Sequence, residues 1–100
     1  MVLADWLDQH TTEAPAALRG RVREHLGQPG SHGPLPVALA AAGRHALDRV
    51  VDHPGDRSVA LDLLAADALV TLALLAQAQV APERLGEFAT SVLHAGFPRP

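Results

Sequence analysis

Apolar residues recur along this chain at intervals of three and four, the spacing that places them on one side of a helix. Leu3, Trp6, Leu7 and His10 stand at i, i+3, i+4 and i+7 and predict an amphipathic helix of about two turns. Thr11 and Thr12 end it, because hydroxyls compete with the helix for backbone groups. Thr12 is placed to cap a second helix, with Pro15 in its first turn. Ala14, Leu18, Val22 and Leu26 form the spine of that helix at steps of four, Arg19, Arg23 and Glu24 face outward, and Gly27 is its stop.

The pattern then lapses. Residues 27–36 carry glycine and proline too densely for a helix or a central strand, which predicts a flexible connector. A third helix is expected from Pro36 to Asp52, with Val37, Ala40, Ala41, Leu47, Val50 and Val51 as its apolar positions. Gly43 lies inside it, a choice that costs about 1 kcal/mol against alanine. With Ala40, Ala41 and Ala42 beside it, Gly43 reads as a point of close approach between two helices. His53-Pro54-Gly55 is a turn, and Asp56 is placed to cap a fourth helix.

The fourth helix, residues 57–79, is the longest and most apolar. Leu61, Leu64, Ala68, Leu72 and Leu75 form one stripe, and Val59, Leu63, Ala66, Val70 and Ala73 form another on the opposite side. A helix apolar on opposite faces must be covered from both. Asp67 and Thr71 mark one wet flank and Asp62 the other. Pro82 and Glu83 suit the first turn of a fifth helix, whose face is Leu85, Phe88, Ala89, Val92 and Leu93, and Gly96 ends it.

These elements predict an all-α chain: a compact bundle of four to five helices around a long, largely buried central helix over residues 57–79, in one domain spanning residues 1–100. The third and fifth helices should cover one face of the fourth. The first two helices, or a second copy of the chain, should cover the other.

Composition narrows the function classes. The apolar set is mostly alanine and leucine, and the only aromatic residues are Trp6, Phe88 and Phe97, which favours closely packed helices over a β-sandwich. The absence of cysteine excludes disulfides and thiol chemistry. A net charge of −3 points to neither nucleic acid nor an anionic membrane. Arg19, Arg21 and Arg23 are too few and too diluted by Glu24 to change that, and no aromatic residue interleaves with them to stack a base. The fourth helix is long enough to span a bilayer, but Asp62 and Asp67 would each cost about 2.5–3.5 kcal/mol there, so a core helix is expected. Asp5 and Asp8, with no basic run before them, argue against a signal peptide and make the cytoplasm the expected compartment.

Candidate chemistry is sparse. His45, Asp48 and Asp52 fall at i, i+3 and i+7, so one helix face offers an imidazole and two carboxylates to a divalent metal. The competing reading is a solvated face on which Arg44 pairs with Asp48. Thr90 and Ser91 precede His94 by four and three, but no acidic third member is near, and such hydroxyls bond back to their own helix. The glycines of residues 27–33 lack the strand and the Gly-Lys-Ser/Thr ending of a phosphate loop. The expectation is therefore a non-catalytic interaction module without a cofactor, a homodimer or small adaptor that meets its partner through Val59, Leu63, Ala66, Val70 and Ala73. The alternative is a bundle that binds a divalent metal or a small apolar ligand.

Overall fold

In the computed structural model, which describes residues 3–27, 33–53, 55 and 57–96, proline decides where helices begin. The helices are α1 (Leu3–His10), α2 (Ala16–Leu26), α3 (Leu35–Asp52), α4 (Arg57–Val80) and α5 (Leu85–Gly96), with a 3-10 turn at Pro82–Arg84 leading into α5. Thr12 does not cap α2. Pro15 forces Ala14 out of helical geometry, so α2 opens at Ala16 with Pro15 extended at its N-cap (φ −57°, ψ 147°) and no side-chain cap. Pro34 opens α3 in the same way (φ −56°, ψ 149°), with Pro36 in the first turn. Thr11 ends α1 by donating its hydroxyl to the Leu7 carbonyl at 2.7 Å.

Gly27 stops α2 without turning left-handed: it keeps helical angles and donates to the Arg23 and Glu24 carbonyls. Residues 28–32 of the expected connector lie outside the described residues, as does Asp56. Gly55 has φ 85°, the left-handed conformation that a tight turn between two helices requires and glycine adopts without strain.

The centre of the bundle is the seam between α3 and α4. Leu39, Ala42 and Ala46 of α3 are fully buried there, with Ala65, Leu69, Ala73 and Ala76 of α4. Gly43 makes the approach close. A methyl group at that position would stand 3.1 Å from Val70 Cγ2 and 3.3 Å from Leu69 Cβ. That contact also turns α3. Its buried stripe is Leu39, Ala42, Gly43 and Ala46, whereas the expected core positions Val37 and Val51 are exposed and Ala40, Ala41, Leu47 and Val50 are half-buried. Apart from Leu39, the helix turns small residues, alanine and glycine, toward α4.

The same rotation redraws α4. Its buried stripe is Val59, Asp62, Ala65, Ala66, Leu69, Leu72, Ala73 and Ala76, which runs between the two stripes read from the sequence and takes members from each. Leu63, Leu64 and Leu75 are left exposed, with Asp67 and Thr71 on the wet flank as expected. Asp62, expected on the opposite wet flank, is instead wholly buried. By length and apolar composition α4 is able to cross a membrane; here α3 and α2 pack against it.

Trp6 and Leu7 of α1 are buried in the same core. The Trp6 indole N–H donates to Gln79 Oε1 at 3.1 Å, and the His10 ring stacks on the indole with centroids 4.1 Å apart. His10 Nδ1–H donates to the Trp6 carbonyl at 2.8 Å, which leaves Nε2 to accept from the Gln79 amide at 3.3 Å. An Arg23–Asp8 ion pair ties α2 to α1. By contrast, α5 is lightly held: none of its described side chains is buried, and Phe88 and Val92 reach inward only to half-burial.

Candidate functional site

Two features remain once the core is accounted for: a buried cluster of ionisable groups and an open apolar groove, on different sides of α3.

The cluster forms where α2, α3 and α4 meet. Val22 is buried on α2, and the position one turn on, His25, is carried into the same interface. Asp62 holds the matching place on the buried stripe of α4. His25 Nε2–H donates to Asp62 Oδ1 at 2.9 Å. Arg21 Nη1 lies 3.4 Å from that oxygen, and Arg49 Nε donates to Oδ2 at 3.3 Å. His45 extends the chain outward, its Nδ1 2.8 Å from His25 Nδ1.

Burial by itself would raise the Asp62 carboxyl above the ordinary aspartate value. The hydrogen bonds from His25 and Arg49, with the charge of Arg21, outweigh it and hold the carboxyl below that value. The group is therefore an anion at neutral pH, enclosed by two guanidinium groups and an imidazole. With its Nε2 committed to donating, His25 must share one proton with His45 across the Nδ1–Nδ1 contact. Asp62 and His25 are sealed from solvent, and His45 is half-buried. Chemically, the arrangement orients two imidazoles and binds three helices to one carboxylate.

The groove lies between α3, α4 and α5 and has a volume of about 950 Å³. Its floor is the α3–α4 seam around Gly43, where Ala40, Ala41 and Ala66 leave space because their side chains are small. Its walls are larger: Val37 and Leu47 on α3, Leu63, Leu64 and Val70 on α4, and Phe88, Val92 and Leu93 on α5. Leu63, Leu64 and Leu93 are each more than half exposed, at 52%, 56% and 55%. Among the described residues, only Arg44, Asp67 and Ser91 give the lining any polarity.

The residues singled out in the sequence are dispersed. His45 turns inward to His25, while Asp48 and Asp52 of the proposed metal set are exposed. No three His, Asp or Glu residues converge on a metal position among the described residues. Of the expected interface, Val59, Ala66 and Ala73 are buried within the chain, whereas Leu63 and Val70 line the groove. Thr90 and Ser91 donate to the carbonyls of Gly86 and Phe88, and His94 is exposed.

Sequence reasoning misses the cluster. Asp62 lies 37 residues from His25 and 13 from Arg49, and no local spacing joins them. A usable signal is present all the same: Asp62 stands in register with Ala65, Ala66 and Leu69, at i+3, i+4 and i+7 on a stripe with no other charge. An aspartate in such a row needs partners from other helices. Comparison with known proteins finds no family model that matches this chain, no similar curated protein and no similar solved structure.

Proposed function

We propose that this chain is a non-catalytic helical interaction module that docks an apolar helical surface in the groove between α3, α4 and α5. The observation that carries the reading is the groove itself. Three leucines and a valine stand exposed around a cleft of about 950 Å³ in a chain of 100 residues. A cleft with so little polarity can seat an apolar helix face, and helix-in-groove recognition uses apolar positions of this kind. The ionisable cluster supports the same reading, because its groups are spent on fastening α2 to α3 and α4.

A small apolar ligand is the second reading. It is favoured by the volume, which falls in the range of about 300–1,000 Å³ usual for small-molecule sites.

The test titrates dilute protein with the apolar dye anilinonaphthalene sulfonate, comparing wild type with Leu63→Glu and Leu93→Glu. Enhanced fluorescence in wild type, lost in both variants at unchanged helicity, supports the groove as the docking surface. Equal fluorescence in all three proteins overturns it. Organic mass retained in native mass spectrometry selects the small-ligand reading.

A further inference from the structure

We infer that the occupant of the groove is a second copy of this chain, related by a two-fold axis, with Arg44 of each copy set against Asp67 of the other. The inference rests on the groove being a docking surface and names its partner.

Among the described residues, Arg44 and Asp67 are the only charged members of the lining, one on α3 and one on α4, and they have opposite sign. Both are exposed, and among the described residues neither takes part in an ion pair. A groove made for a basic partner would be rimmed by acids, and one made for an acidic partner or an anionic lipid surface by bases. This one is balanced. In a two-fold interface the same patch appears twice, so residue i meets j and j meets i. A patch with one cation and one anion can satisfy that condition, because an axis passing between them sets each charge against its opposite.

The apolar relief obeys the same rule. Leu63, Leu64 and Leu93 project from the walls, while Ala40 and Ala41 hollow the floor. The patch holds both knobs and the space to receive them, as self-association requires. It also includes Leu63 and Val70 of the second α4 stripe, whose expected cover from within the chain is incomplete.

The test is a charge exchange read by native mass spectrometry and light scattering across a dilution series. Wild type is expected to be a dimer. Arg44→Asp leaves an all-acidic lining and Asp67→Arg an all-basic one, so each variant alone should associate at least about tenfold more weakly. Mixed in equal amounts, with one isotopically labelled, the two variants should pair with each other at close to wild-type affinity. Circular dichroism confirms that each remains helical. Three outcomes overturn the inference: single variants that dimerise like wild type, a mixture that pairs no better than its components, or wild type that stays monomeric at millimolar concentration. In the last case, dye binding that is sensitive to Leu63→Glu keeps the docking module and assigns it another partner. Absence of both signals removes the two readings together.

Discussion

His25 and His45 face each other nitrogen to nitrogen, Nδ1 to Nδ1 at 2.8 Å, while the far nitrogen of His25 is held by Asp62. Two nitrogens at that distance need one hydrogen between them: with none there is no bond, and with two the hydrogens collide. Imidazole nitrogen chemical shifts should therefore show one Nδ1 protonated and its partner bare at neutral pH. Two protonated or two bare Nδ1 atoms would refute the shared proton. His45→Phe keeps a ring and removes the bond, and should lower unfolding free energy by about 1 kcal/mol in urea titrations.

Asp62 makes stability depend on acid. Its carboxyl is depressed in the folded chain, so the unfolded chain binds the proton more readily, and folding is favoured while the group is ionised. The contribution is complete above the ordinary aspartate value and disappears as pH falls through the lower, folded value. Asp62→Asn should flatten this acid limb. Asp62→Ala, which leaves Arg21, Arg49 and His25 without their anion, should cost about 3–5 kcal/mol at neutral pH. Denaturation midpoints across pH check both; an acid limb unchanged in Asp62→Asn would assign it to other carboxylates.

Two glycines inside helices should respond to alanine with opposite sign. At Gly20 an added methyl group meets nothing within 4 Å, so Gly20→Ala should stabilise α2 by about 0.5–1 kcal/mol through helix propensity. At Gly43 the methyl would press on Leu69 and Val70, and overpacking of about 1–3 kcal/mol should exceed the propensity gain. Thermal melts of the two variants decide it, and a stabilised Gly43→Ala protein would show that the seam can open at little cost.

On α4, neighbouring leucines should separate core from surface. Leu69→Ala empties a fully buried site and should cost about 2–5 kcal/mol. Leu63→Glu, on the groove wall, should stay within about 0.5 kcal/mol of wild type in the monomer. Urea titrations below the concentration of self-association measure the pair.

The helices are legible in the sequence because their limits are set locally. Thr11 takes the Leu7 carbonyl within its own turn, and Pro15, Pro34 and Pro82 act through their own rings. Gly43 announces a close contact because a glycine in a helix needs a reason. The direction in which each helix turns is less legible. Val37 outranks Ala42 in hydrophobicity, yet Ala42 is buried and Val37 exposed, because at a close seam small volume counts for more than apolar area. The cluster is hidden for another reason: the partners of Asp62 come from α2 and α3, and only the fold brings them together.

The order of those partners has a consequence for synthesis. Arg21, His25, His45 and Arg49 all precede Asp62 in the chain. A ribosome makes the cations and imidazoles first and their anion last, so the carboxylate emerges into a chain already holding everything needed to neutralise it. The junction of α2, α3 and α4 can therefore be completed only once α4 has begun to emerge, because the anion shared by the other four residues is made last.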